Sequence, residues 1–224
     1  MIKKLIWRYL LEKTGNEYGT AAIMGNLMAE SSMNPKCATG KKKTPNYTED
    51  ADSGAVDFKN DGVAYGLAQW CYHTRKAALR DLATLRGASV GSLDLQMEYL
   101  WMEMSEKYKT VWNAVCNATN VREASDIVML KYEKPANTGE AAKQKRAIYG
   151  QMYYDQFAEG KKADPSENKT VRATVPVNIR AGKGTSTEKV GVLKKGKSLE
   201  WIATEDGWHK VAVWISGDFS EVKG

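Results

Sequence analysis

Apolar residues recur at three- and four-residue spacing from the N-terminus to about Phe157, and after that they alternate with polar ones in short runs. The first pattern is that of amphipathic helices and the second that of strands. MIKKLIWRYLLEKTG predicts a helix with Ile2, Leu5, Ile6, Tyr9 and Leu10 on one face. A second helix is predicted from about Thr20 to Ser31. LQMEYLWMEMSEKY and VREASDIVMLKYEKPA both carry helical spacing, and Pro135 should end the latter near Tyr132-Glu133, because the residue before a proline is steered out of the α region. KQKRAIYGQMYYDQFAEG supplies one more helix, with Ile148, Met152 and Tyr153 on its inner face. GKKADPSENKT is polar, charged and broken by Pro165, as a linker is. Beyond it TVPVNIRA, VGVLKKG, LEWIA and WHKVAVWIS alternate, punctuated by Gly182, Gly184, Gly191, Gly196, Gly207 and Gly217, which predicts a small antiparallel barrel. At least one of Trp201, Trp208 and Trp214 should fill it. The fold class is therefore α+β: a mostly helical domain over 1–160, a linker over 161–170 and a β-barrel over 171–224.

One residue breaks the helical pattern usefully. In IMGNLMAESSMNP each helical residue advances by about 100°, so Ile23, Leu27 and Glu30 share one narrow stripe. A carboxylate on an inward face loses hydration, which disfavours its charged form and makes a proton donor usable near neutral pH. Asn34-Pro35 should stop the helix within a turn of Glu30, leaving it at a helix end beside a loop. The same position is open to a plainer reading, an edge residue reaching solvent or capping nearby amides.

At 224 residues the chain can bury one good core and a small second one. Its net charge of +6 and pI near 9.0 suit an anionic partner, and a cell-wall polymer serves as well as nucleic acid. Arg8, Glu12 and Lys13 interrupt the first apolar run without a small-residue cleavage site, so no cleaved signal peptide is expected, and synthesis should be cytoplasmic. No segment is long and apolar enough for membrane insertion. Cys37, Cys71 and Cys116 form no metal or disulfide pattern; a Cys71/His73 nucleophile and base is conceivable, but sequence neighbours rarely make such a pair. Neither ligand clusters nor phosphate-cradling glycine loops suggest a cofactor.

CATGKKKTPNYTEDADSGAVDFKNDGVAYGLAQW is too long for a plain connector. It holds Glu49, Asp50, Asp52, Asp57 and Asp61, and ends where Tyr65, Gln69 and Trp70 combine aromatic surface with an amide, a combination that suits a sugar ring. A hairpin with solvated acidic turns accounts for the same residues without function. Cleaving a glycosidic bond needs an acid for the leaving oxygen and often a second carboxylate to attack or to activate water. Glu30 meets the first demand, and the acidic hairpin offers candidates for the second in a setting that keeps them ionised.

MGNLMAESSMNP followed by GVAYGLAQW resembles the phage lysozyme family of tail-tip lysins and Gram-positive phage endolysins, and more distantly the E-S and G-L-M-Q motifs of goose-type lysozymes and lytic transglycosylases. The resemblance spans about Thr14 to Phe157 and implies a lysozyme-like fold with a short β-hairpin, Glu30 as general acid with Ser31 beside it, and Gln69 in the glycan cleft, where the aromatic surface of Tyr65 is expected to bind the sugar as well. It implies Tyr132 as support for Glu30 and Asp61 as the second carboxylate. The aspartate that follows G-L-M-Q in the goose-type pattern is replaced by Cys71, which leaves hydrolysis and transglycosylation both open. VPVNIRAGKGTSTEKVGVLKKG and WIATEDGWHKV resemble bacterial SH3 domains, which implies binding of peptidoglycan stem peptides or cross-bridges. The expected protein is thus a muramidase-type endolysin acting at the wall, released by a holin or delivered by a virion. The competing expectations are a lytic transglycosylase and a wall-binding phage protein without catalysis. Peptidoglycan is the expected partner, with the glycan in the cleft; no nucleic acid, membrane insertion or cofactor is expected.

Overall fold

The computed structural model describes residues 2–158, 170–205 and 208–211. Contacts divide the chain into two compact units, Met1–Lys161 and Lys162–Gly224. No helix among the described residues is long and apolar enough to cross a membrane.

The first unit is built around α2 (Glu17–Ser31). Asn16 caps its start, the side chain accepting from the Gly19 amide at 2.9 Å. Every residue from Gly19 to Leu27 is buried, so this helix is not an amphipathic surface element but the axis of the unit. Packed around or near it are α1 (Ile2–Thr14), α5 (Leu93–Lys107), α6 (Lys109–Cys116), α7 (Val121–Val128) and α8 (Glu140–Phe157), with α4 (His73–Arg86) against α5. Two inner faces differ from expectation. On α1, Ile6, Trp7, Leu10 and Thr14 are buried while Ile2 and Leu5 are exposed. On α8, Arg146, Gly150, Tyr153 and Tyr154 face inward, and Ile148 is exposed. The reason is the same at both: a polar or small residue lies on the true inner stripe, and a pattern read by hydrophobicity rotates away from it.

As expected, α2 ends directly after Glu30. The stretch VREASDIVMLKYE also stops where predicted, but its last turn, Met129–Glu133, is a π-turn, closed by Lys134 in the left-handed region with its amide on the Met129 carbonyl at 2.8 Å. The acidic connector forms a minimal antiparallel pair, β1 (Ala38–Thr39) with β2 (Ala64–Tyr65), and between them a helix, α3 (Tyr47–Ser53), in place of an extended hairpin. The second unit has β3 (Thr170–Arg172), β6 (Ser198–Glu205) and β7 (Trp208–Val211) in one antiparallel sheet, and β4 (Val177–Arg180) paired with β5 (Lys189–Leu193) in another. Trp208 is half-buried; Trp214 and the side chain of Trp201 lie outside the described residues.

Candidate active site

Glu30 stands at the end of the buried axis, where α2 reaches the rim. Ile23 and Leu27 on its stripe are fully buried, and the Glu30 side chain keeps 17% of its surface. The neighbourhood is not the purely apolar one expected, because Arg146 Nη2 donates to Glu30 Oε1 at 2.5 Å. Two glycines bring that guanidinium into reach. A Cβ on Gly25 would lie 2.4 Å from the Arg146 carbonyl oxygen and 2.5 Å from the Gly150 nitrogen, so α2 and α8 meet backbone to backbone one turn from the ion pair.

Ser31 joins the helix end to the YGLAQW loop: its hydroxyl donates to the Leu67 carbonyl at 2.8 Å. That loop is closed by paired amides and carbonyls between Tyr65 and Trp70. The Gln96 side chain secures it from α5, accepting from the Leu67 amide at 2.8 Å and donating to the Pro35 and Val90 carbonyls. Gln69 is half-buried with its amide committed: Nε2 donates to the Cys37 and Gly66 carbonyls, and Oε1 accepts from Thr39. Tyr65, expected on the sugar, has no exposed face; its ring packs on Tyr47 and Phe58 and its hydroxyl pairs with Thr48.

Tyr132 is likewise interior, and its hydroxyl donates to Glu103 at 2.7 Å, not to Glu30. Glu103 is the hub of a second buried cluster. It receives a bidentate Arg75 guanidinium, both contacts at 2.8 Å, together with Trp70 Nε1 and Tyr99. Burial opposes its ionisation, but Arg75 and the hydroxyl and indole donors outweigh it and hold the carboxyl below the usual range. The Arg75 guanidinium also lies 4.6 Å over the Tyr132 ring. Beside Tyr132, burial and then the charge of Glu30 push the Glu133 carboxyl well above the usual range.

Asp61 belongs to a third network. Its oxygens accept from Lys76 Nζ at 2.6 Å, from the Val63 amide at 2.9 Å and from the Tyr47 hydroxyl, and Lys76 is fully buried. The other acidic residues of the connector also serve its shape: Asp50 accepts from Thr44, Asp52 from the Val90 amide, and Glu49 pairs with Lys36.

Left-handed backbone recurs at the ends of these elements, Ser32 closing α2 and Lys134 the π-turn. Among the described residues, the non-glycine positions with left-handed φ are Ser32, Met33, Gln69 and Lys134. They follow Glu30-Ser31, sit inside YGLAQW, and follow Tyr132-Glu133. Such conformations cost about 1–3 kcal/mol each and collect at active sites, where the surrounding structure enforces them. Over residues 2–157 the sequence matches phage tail lysozyme, and over 175–221 the bacterial SH3 domain. The chain belongs to the phage tail lysozyme family. It is a peptidoglycan-degrading enzyme, a hydrolase or lytic transglycosylase in kind, that carries a bacterial SH3 domain. No curated relative matches it.

In and beside the buried carboxylate clusters this lysozyme unit assembles residues that sequence reasoning missed, of which Arg146 is the one in contact with Glu30. Arg146, Glu133, Glu103 and Arg75 come from α8, the π-turn, α5 and α4, none of them near Glu30 in the chain. A signal existed for Glu103, which lies on the buried stripe of Gln96, Tyr99 and Leu100 as Glu30 lies on that of Ile23 and Leu27. For Arg146 the signal was its spacing from Gly150 and Tyr153, visible only once the inner face of α8 is known.

Proposed function

We propose that the enzyme cleaves the glycan bond between N-acetylmuramic acid and N-acetylglucosamine, with Glu30 as the general acid that protonates the leaving oxygen. The observation that carries this reading is Glu30 itself: a carboxyl at the rim end of the buried axis, next to the Ser31 tie to the YGLAQW loop, in the only one of the three carboxylate networks described above that keeps notable exposure at its acid. Glu103 is buried and saturated with donors. Asp61 is 6% exposed and engaged by Lys76 and Tyr47. Gln69 and Ser31 then shape the cleft floor, and Tyr65 and Tyr132 support it from behind.

The state of Asp61 supports a second reading of the mechanism. A carboxylate whose oxygens already accept from an ammonium, a phenol and a backbone amide is poorly placed to attack the sugar or to activate water. Displacement by the muramyl 6-hydroxyl needs neither, so lytic transglycosylation is favoured where Asp61 only anchors its loop. On either route the SH3 unit would hold the enzyme on stem peptides or cross-bridges, after release through a holin or delivery by a virion.

Glu30→Gln keeps size and shape but cannot donate the proton, and should lower cleavage on the order of 10²-fold or more. The test is mass spectrometry of fragments released from purified peptidoglycan by both forms. Near-original release by the variant removes Glu30 from the acid role, whereas the ends made by the wild type, reducing muramic acid or anhydro-muramic acid, separate the two routes.

A further inference from the structure

The YGLAQW loop is strained, and α5 holds it at both ends. Gln69 has a φ of 46°, in the left-handed region, although it is not a glycine; such a conformation persists only where the surroundings over-determine it. Gln96 and Glu103, both buried on α5, lie about two helical turns apart and so share one face. Gln96 holds the start of the loop through the Leu67 amide at 2.8 Å. Gly66 makes room for it, since a Cβ there would lie 2.5 Å from Gln96 Oε1. Glu103 holds the end, where Trp70 Nε1 donates to its Oε2 at 3.0 Å. Between the two anchors the Ser31 hydroxyl reaches the Leu67 carbonyl at 2.8 Å, which joins the loop to the residue after Glu30. Trp70 passes its position on to Gln69, because its amide and carbonyl pair with Tyr65 at 2.9 and 3.0 Å and close the turn. A buried ion pair is weak evidence for stability, since apolar side chains of similar volume often do as well. What the enclosed Glu103 carboxylate adds, with Arg75 on both oxygens and Trp70 and Tyr132 as further donors, is direction, which apolar packing lacks.

We propose that Glu103 is a positioning residue for glycan binding: through the Trp70 indole it keeps Gln69 in its left-handed conformation, so that the loop has its binding shape before the glycan arrives. The proposal rests on the reading of the YGLAQW loop as part of the glycan cleft. Arg75 is the counter-charge that lets the carboxylate be buried. Once the indole bond is lost, the strain at Gln69 is relieved by the loop leaving that shape. The apparent affinity then falls by the fraction of molecules that keep it, and a fraction of about one tenth weakens binding about tenfold.

The experiment measures kcat and KM on soluble, uncrosslinked glycan strands with the full chain in wild type, Trp70→Phe, Glu103→Gln and Gln69→Ala, beside the folded fraction from circular dichroism. Trp70→Phe keeps an aromatic ring and leaves Arg75 paired with Glu103. It should raise KM about tenfold, with a smaller change in kcat per folded molecule, the pattern of lost binding. Glu103→Gln should raise KM by a similar factor in spite of its greater loss of stability. A merely structural role lowers the amount of folded enzyme and hence the rate at saturation, but leaves KM unmoved, because KM does not depend on how much enzyme is active. Each variant is therefore read on whatever fraction of it folds. Unmoved KM in both overturns the proposal, and so does a KM raised in Trp70→Phe alone, which would assign the effect to lost ring volume and not to the carboxylate. Gln69→Ala separates the underlying reading. A KM raised there and unmoved in the other two keeps the loop in the cleft but removes Glu103 from positioning it, whereas unmoved KM in all three takes the loop out of the cleft and the proposal with it.

Discussion

Glu30 and Glu103 are both carboxylates on otherwise apolar helical stripes, yet they end in different states. Glu103 is almost fully enclosed and takes Arg75, Tyr132, Tyr99 and Trp70 as donors. Glu30 takes one guanidinium and keeps an open side. Removing one partner of a buried ion pair leaves the other charge uncompensated, at a cost of about 3–5 kcal/mol. Glu103→Gln should therefore lower stability by that order, and by more than Glu30→Gln, because Glu103 is itself enclosed and also serves Tyr132, Tyr99 and Trp70, whereas Glu30 serves one guanidinium. The sign with pH follows from the depressed Glu103 carboxyl: its stabilisation is present above the unfolded-state value of about 4.3 and is lost as pH falls through the lower folded value. Urea midpoints measured between neutral and acid pH should show wild type and Glu103→Gln converging in acid, and a constant gap at all pH would contradict the ionised assignment. Glu133 works the other way, its contribution being full below the unfolded value and lost as pH rises through the folded one.

At the scale of elements, the α2–α8 crossing decides whether there is a site. Gly25 against Gly150 lets the two backbones touch, and the residue one turn before Gly150 is Arg146. Gly25→Ala would put a methyl into the Arg146 carbonyl, a backbone atom that cannot swing aside as a side chain can. Overpacking of this kind costs about 1–3 kcal/mol, and the helices must part to relieve it. We expect lower thermal stability and, well below the melting point, a loss of activity larger than the unfolded fraction accounts for, because Arg146 moves with α8. Activity and circular dichroism at one temperature check this; activity that simply tracks the folded fraction would show that the crossing is structural only.

At the scale of the whole molecule, the core belongs to one unit: its buried apolar cluster runs from Ile6 to Ala158. The second unit has few buried side chains among the described residues, and a basic β5–β6 turn of Lys194, Lys195 and Lys197. Truncation after Lys162 should leave a folded lysozyme unit that still releases fragments from soluble glycan. It should adhere less to walls and lyse them more slowly, since tethering raises the enzyme's effective concentration at an insoluble substrate. A pull-down with purified walls, beside turnover on soluble glycan, reads both effects. Undiminished adhesion would deny the SH3 unit a targeting role, and lost turnover would misplace the boundary.

The sequence by itself determined what depends on neighbours in the chain. Helical spacing, Pro135, the polar stretch around Pro165 and the alternating runs beyond it mark the long helices and the C-terminal strands, but not the short helix α3 inside the acidic connector. The stripe of Ile23, Leu27 and Glu30 with Asn34-Pro35 fixes a carboxyl at a helix end. Tertiary structure alone decided what depends on partners far apart in sequence. Arg146 is 116 residues from Glu30 and reaches it through two glycines whose importance is a missing Cβ, invisible to any hydrophobic pattern. Asp61 looked free because Lys76, 15 residues on, reads locally as a surface lysine on α4. Tyr65 looked like a ligand-facing aromatic, and Tyr132 like a support for Glu30, because their hydroxyl partners, Thr48 and Glu103, lie elsewhere in the chain. Burial and charge pairing are properties of the packed interior, so a residue's type can suggest its chemistry, but its ionisation and its access to substrate are set only when the distant groups around it arrive.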